Sequence, residues 1–294
     1  MNGKTVIITG GTSGIGLQTA KSLAKLGGTV CITGRSEERA KQAVAEIKAA
    51  GGNNSVGYFV GDLSSLQEIR KLAAEIKRKI NKIDVLINNA GVLYQDLTLS
   101  PDGTEMMFAV NHLGHFLLTN LLLDVIIESA PSRIVVVSSD SHYTGKIDFD
   151  DLSMSKDFRM IGAYDRSKLC NVLFALYLAR RLEGTGVTVN ALHPGRVRTE
   201  MGNKHTDWLI SGGWNVLKTI AAIPIEKGAE TPVYLAQSNE VTGVSGKYFF
   251  ECKEKAPAAL CHAPGLQEQL WDVSLQLTGL SRSFLQTPPQ GRLG

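Results

Sequence analysis

The stretch Thr9-Gly10-Gly11-Thr12-Ser13-Gly14-Ile15-Gly16, directly behind the apolar run Thr5-Val6-Ile7-Ile8, constrains the fold more than any other part of the chain. A β-branched run that stops at glycines and resumes with helical patterning reads as strand, tight turn, helix. Gly10 permits the sharp exit from the strand, Gly14 lets backbone come within contact of a pyrophosphate, and Gly16 lets the new helix press against the sheet. Phosphates would sit on the free N–H groups of the turn and first helical residues, beside Thr12, Ser13 and Ile15. Glycine loops also serve plain turns, so the rest of the chain must support the reading.

Short β-branched runs alternate with longer helical patterns: Thr5 to Thr9, Thr29 to Thr33, Ser55 to Val60, Val85 to Asn88, Ile134 to Ser138, Val187 to Leu192 and Lys247 to Phe250. Alternation of this kind predicts an α/β fold, a single Rossmann-type, doubly wound parallel sheet of about seven strands with helices on both faces. Near-continuous apolar runs such as Ile134-Val135-Val136-Val137 fit strands covered on both sides. One domain is expected over residues 1–280, with a flexible tail over 281–294, where Pro288-Pro289 and glycines lack periodicity.

The 31 basic and 28 acidic residues are interleaved and leave a net charge of +3, without the basic stripe that nucleic acid requires. The four cysteines, Cys31, Cys170, Cys252 and Cys261, show no CxxC spacing, which points to reduced thiols. The first strand begins within a few residues of Met1 and no run of 18 apolar residues follows, so a soluble, cytoplasmic protein without a transmembrane anchor is expected.

Six further places in the chain bear on chemistry. The second strand runs into Gly34-Arg35-Ser36, where NAD-binding units place an acid for the ribose hydroxyls; glycine with a following arginine favours a ribose phosphate, hence NADP(H), although Arg35 also reads as a surface residue opening a helix. Asp62-Leu63 closes the third strand, with Asp62 either at the adenine edge or capping the next helix. Asn88-Asn89-Ala90-Gly91 ends the fourth strand in small residues that leave room for a cofactor, or form a simple turn. Asn111 lies inside a helical pattern from about Gly103 to Ile127, a poor place for asparagine unless its side chain has a partner. Tyr164 and Lys168 are four residues apart and share one helix face, and Ser139 stands at the carboxyl edge of the fifth strand, able to bond a substrate oxygen or merely to cap.

In order along the chain, the glycine loop, Asn88-Asn89-Ala90-Gly91, Asn111, Ser139, Tyr164, Lys168 and Pro194-Gly195 resemble the short-chain dehydrogenase/reductase family from about residue 3 to 280. Glu226-Lys227-Gly228-Ala229-Glu230-Thr231, Gly243 to Phe249 and Asn111 to Thr119 are similar to its retinol dehydrogenases. The resemblance implies Tyr164 as general acid/base, Lys168 lowering its pKa and gripping the nicotinamide ribose, Ser139 holding the substrate oxygen, and Asn111 positioning a water that feeds protons to Lys168. It also implies that Val197 and Thr199 border the nicotinamide.

His112 and His115 are three apart but lack the ligands to complete a metal site, so helix packing or a surface role is expected, with no metal. Trp208 to Leu217, interrupted by Gly212-Gly213, reads as a lid near 200–225 over a small lipophilic substrate, as ordinary core or a homodimer face, or as a peripheral membrane contact. Two functions stand at this point: an NADP-dependent oxidoreductase interconverting a carbonyl and an alcohol on a lipophilic retinoid, lipid aldehyde or xenobiotic ketone, and a catalytically vestigial NADP-sensing interaction protein.

Overall fold

A computed structural model describes residues 1–52, 54–195, 197 and 223–281. Thr199, the stretch Trp208 to Leu217 and the tail from residue 282 lie outside the described residues. The chain runs β1 (Thr5–Thr9), α1 (Gly14–Lys25), β2 (Thr29–Gly34), α2 (Glu37–Gly51), β3 (Val56–Val60), α3 (Leu66–Lys79), β4 (Val85–Asn88), a single turn α4 (Met106–Phe108), a π turn (Ala109–Leu113), α5 (Gly114–Glu128), β5 (Ser132–Val137), α6 (Met160–Arg181), β6 (Val187–His193), α7 (Ile225–Gln237), β7 (Lys247–Phe250), β8 (Lys253–Glu254) and α8 (Pro264–Thr278).

The sheet order is β3-β2-β1-β4-β5-β6-β7-β8, and every pairing is parallel except β7 with β8. The seven expected strands are all present. The eighth has two exposed polar residues, too few to show an alternating pattern. Each strand of the centre serves two cores: Ile7 packs into the layer with α3, α5, α6 and α8, while Val6 and Ile8 pack under α1, α2 and α7. Strand order reverses at β1, which pairs with β2 on one side and β4 on the other, and the carboxyl ends of β1 and β4 open a crevice at that switch point.

Met106–Glu128 is long and apolar enough to cross a bilayer by composition, but 78% of its most apolar window is buried inside the fold, which makes it the core helix of the larger layer. Cys31, Cys170 and Cys261 are buried, and none of the four cysteines is bridged.

At the amino edge of the sheet, Asp84 is buried and accepts from the Thr5 N–H, the Lys4 ammonium and the Lys82 ammonium, each at 2.9 Å. Burial alone would raise its pKa, but these three donors together outweigh that and hold it below the usual carboxylate range. Its pKa is depressed by folding, so its contribution is complete above about pH 4 and is lost as pH falls through the folded value. Asp84→Asn should cost about 1–3 kcal/mol at pH 7, read from denaturant midpoints, and the difference from the parent should shrink below about pH 4.

Candidate active site

Gly10 and Gly14 hold positive φ of 65° and 57°, the left-handed backbone that turns β1 into α1. A Cβ on Gly10 would stand 2.8 Å from the Ala90 Cα, and one on Gly16 would stand 2.4 Å from the Asn89 Nδ2 and 2.5 Å from the Gly10 carbonyl oxygen. The glycines therefore let the turn after β1 lie directly against the end of β4. Ser13 at the N-cap makes no side-chain cap, so the first N–H groups of α1 face the cleft without one.

Asn89 Nδ2 donates to the Thr9 and Gly10 carbonyls at 2.8 and 3.3 Å, while the Thr9 hydroxyl accepts from the Asn89 and Ala90 N–H groups at 2.9 and 3.0 Å. Asn89 thus braces the loop, and Asn88 turns into the core to donate to the Thr119 hydroxyl. Gly34 is required sterically, since its Cβ would meet the Thr12 methyl at 2.6 Å. Ser36 caps α2, accepting from the Arg39 N–H, and Arg35 and Arg39 both line the cleft. Arg39 is a residue the sequence reading missed; it stands in the first turn of α2, three residues past the Ser36 cap. Asp62 lines the cleft but does not cap the following helix: its carboxylate takes the Ser64 N–H in a local turn, and Ser65 is the N-cap of α3.

One cleft of about 1590 Å³ collects Gly10, Thr12, Ser13, Gly14, Ile15, Gly16, Arg35, Ser36, Asp62, Leu63, Asn89, Ala90, Gly91, Ser139, Tyr164, Pro194, Gly195 and Val197. Its far wall is apolar, built of Leu93, Leu99, Met106, Val110, Met160 and Ile161 with Tyr94, and Leu99 and Ile161 stand more than half exposed at its mouth. These residues, from three separate segments, carried no sequence signal. Beyond β6, Gly195 adopts φ 89°, and a Cβ on Gly228 would lie 2.3 Å from a Val197 methyl, which explains the glycine in Glu226 to Thr231: α7 packs directly under the turn that carries Val197.

Ser139 lies two residues past β5, where it caps a short 3-10 turn rather than the strand. Its hydroxyl donates to Asp140 at 3.0 Å and accepts from the Ser141 N–H at 3.2 Å, and it stands beside the Tyr164 phenol, whose pKa it lowers. Its carbonyl accepts from His142 Nδ1 at 2.6 Å and the Tyr248 hydroxyl at 3.4 Å, and His142 Nε2 accepts from the Ala258 N–H at 3.1 Å. Nearby, the Tyr143 hydroxyl donates to the Ala256 carbonyl. The segment after β8 thus holds Ser139 in place, a contact invisible in the sequence.

Asn111 and Lys168 sit behind the cleft wall, both buried. Asn111 has the partners its position demanded: its Oδ1 accepts from the Val92 N–H at 2.8 Å, and its Nδ2 donates to the Val92 carbonyl and the Ser167 hydroxyl at 3.1 and 3.0 Å. It stands in the π turn, not in α-helix. Lys168 Nζ lies 5.5 Å from the centre of the Tyr164 ring. Burial pushes the Lys168 ammonium down to about 8 and the Tyr164 phenol up to about 12. The expected lowering of the phenol is absent: desolvation dominates, the nearby Ser139 hydroxyl opposes it only in part, and the carboxylates of Asp140 and Asp165 raise the phenol further.

α6 is clamped to this region by an ion pair. Arg166 Nη2 meets Glu105 at 2.9 Å, both side chains buried, and the same carboxylate accepts from the Met107 and Phe108 N–H groups, capping the helical stretch that carries Asn111. Arg166 lies midway between Tyr164 and Lys168 on the opposite face of α6. Of the two expected packing histidines, His112 is packed among Phe108, Phe116 and Phe174, with Nε2 on the Ser274 hydroxyl; neither it nor His115 is at the surface.

A family model described as short chain dehydrogenase matches residues 4–210. The chain belongs to that family. Within it the chain falls in the retinol dehydrogenase-like branch: it is 45% identical over 292 residues to retinol dehydrogenase 14 of Mus musculus, covering 95% of this chain and 87% of that one. It is likewise 45% identical over 297 residues to retinol dehydrogenase 13 of Homo sapiens, covering 99% and 89%. Human polyprenol dehydrogenase is 41% identical over 288 residues, covering 94% and 86%. Among solved structures, an uncharacterised protein from Mycobacterium Paratuberculosis superposes with a TM-score of 0.75 at 30% identity over 95% of both chains. The NADP complex of Pseudomonas aeruginosa RhlG has a TM-score of 0.69 at 24% identity, covering 85% and 94%, a likeness of fold. The molecule is thus an oxidoreductase of the short-chain family.

Removing one partner of the buried pair leaves an uncompensated charge. Arg166→Met should therefore destabilise by about 3–5 kcal/mol in equilibrium denaturation, and a loss below about 1 kcal/mol would show that the pair does not clamp α6.

Proposed function

We propose that this chain is an NADP(H)-dependent dehydrogenase/reductase that interconverts a carbonyl and an alcohol on a lipophilic substrate. The observation that carries the reading is one cleft that brings the Ser139 hydroxyl and the Tyr164 phenol together with a glycine cradle and an apolar lining. The cradle fits a dinucleotide because Gly10 and Gly16 let the turn after β1 lie against the end of β4, with no side-chain cap on the first N–H groups of α1. Arg35 and Arg39 supply the cationic forks that a ribose phosphate needs. Pro194, Gly195, Val197 and Thr199 would border the nicotinamide. The relatives named for retinol and polyprenol, both apolar alcohols, agree with the apolar wall.

When bound, NADPH supplies the hydride. Ser139 and Tyr164 converge on the substrate oxygen, and Tyr164, which keeps its proton at neutral pH, gives that proton to the oxygen as the carbonyl is reduced. Lys168, cationic below about pH 8, would hold the ribose and favour the phenolate left behind. Asn111 has committed its side-chain amide to Val92 and Ser167, so a water feeding Lys168 would rest on its main-chain carbonyl. A cytoplasmic enzyme working at a membrane surface, alone or as a homodimer, suits such a substrate.

Two measurements test this. Replacing Arg35 and Arg39 together by alanine should weaken NADPH by about tenfold or more and leave NADH nearly unchanged, in fluorescence titrations; equal parent affinities for the two cofactors would defeat the NADP assignment. Alanine substitution suits this better than an acid at Gly34, whose side chain would strike Thr12. Tyr164→Phe should lower kcat for reduction of retinal or decanal by about a hundredfold to ten-thousandfold with NADPH affinity preserved. Near-parent turnover would make Tyr164 a structural aromatic, and a parent that binds NADPH but reduces neither aldehyde would favour a cofactor sensor.

A further inference from the structure

His115 differs from its neighbour His112 in what it touches. Its ring is buried, yet both nitrogens reach polar groups of the site: Nδ1 is 3.0 Å from the Asn111 carbonyl oxygen, and Nε2 is 2.8 Å from the Thr9 hydroxyl. A carbonyl only accepts, so Nδ1 carries the proton; in the neutral ring Nε2 then accepts, and the Thr9 hydroxyl must donate to it. The same hydroxyl oxygen takes the Asn89 and Ala90 N–H groups. The Ile87 carbonyl, at 3.4 Å, is a longer alternative acceptor for its proton than the His115 ring nitrogen at 2.8 Å, and with the proton on the ring both its lone pairs take the two amides. Burial, reinforced by the charge of Lys168, keeps the imidazole neutral down to about pH 4.

A residue needed only to fill space at this point would not require two directed bonds, one to each half of the cleft. The first bond ends at the π turn, on the main chain of Asn111, and the second at the hydroxyl that seats the Asn89–Ala90 backbone against the glycine loop.

We propose that His115 is a positioning residue for the carbonyl–alcohol reaction, setting the Asn111 carbonyl with one ring nitrogen and the Asn89–Ala90 wall of the cofactor cleft with the other. This inference rests on the dehydrogenase reading of the site.

The two nitrogens can be tested separately. Asparagine places an amide at the depth of Nδ1 and can still serve the Asn111 carbonyl; glutamine places one at the depth of Nε2 and can still accept from Thr9. NADPH affinity is measured by fluorescence titration, turnover on retinal and decanal, and folding by thermal melting, for the parent and for His115→Leu, His115→Asn and His115→Gln. His115→Leu should lose about tenfold in both kcat and NADPH affinity, as expected for directed bonds removed from each side. His115→Asn should recover kcat and leave NADPH weak, whereas His115→Gln should recover NADPH affinity and leave kcat low. Parallel losses in all three variants, a lower melting temperature with both parameters unchanged, or failure of all three to fold would each overturn the proposal and make His115 a packing residue. If the parent binds NADPH and reduces no carbonyl, the dehydrogenase reading fails, and the difference in NADPH affinity between His115→Gln and His115→Leu alone decides whether the Thr9 side is positioned by this ring.

Discussion

The Thr9 hydroxyl, buried at the end of β1, gathers the Asn89 and Ala90 amides of β4, and the site is organised around that crossing. β1 and β4 are the strands on which the sheet order reverses, so the crevice between their ends is where a parallel α/β sheet can accept a ligand. Closing it to contact distance requires Gly10 and Gly16, because side chains there would occupy the same volume as Ala90 and Asn89. The fold-defining turn and the cofactor cradle are therefore one structure, and a change that disturbs either disturbs both.

Buried polar groups, rather than further apolar packing, fix the geometry on the catalytic side. Glu105 with Arg166, Asn111 with Val92 and Ser167, and His115 with Thr9 each join segments far apart in the chain. Inside a low-dielectric core such bonds are strongly directional, and an unmatched partner is costly, so the arrangement of Asn111, Ser139, Tyr164 and Lys168 is specified rather than merely permitted. Desolvation also sets the protonation state from which the site starts: a neutral phenol beside a buried ammonium of lowered pKa.

What could be read from the sequence was whatever depends on local spacing. The glycine turn, the Tyr164–Lys168 pair one helical turn apart, and an asparagine out of place at 111 all carry their reason within a few residues. Asp62 misled in part, because Ser64 and Ser65 compete with it as capping and turn residues at the same helix start, and single-sequence chemistry does not rank them. The Glu105–Arg166 pair, separated by 61 positions, and the contact of His142 with Ala258, separated by 116, depend on how α6 and the last strands dock, which no local pattern encodes. The apolar wall was illegible for the same reason: Leu93, Leu99 and Ile161 become one surface only after folding.

The bonds that run from Ser139 through His142 to Ala258, with Tyr248 closing from β7, join the turn after β5 and the segment after β8 into a single bonded module. Recombination between this chain and a relative would respect that module only if both halves came from the same parent. A crossover between residues 143 and 248 pairs a loop from one history with a brace from another, so chimaeras that preserve every residue touching substrate can still misplace the serine. The far end of the chain thus bears on the placement of a residue more than a hundred positions upstream.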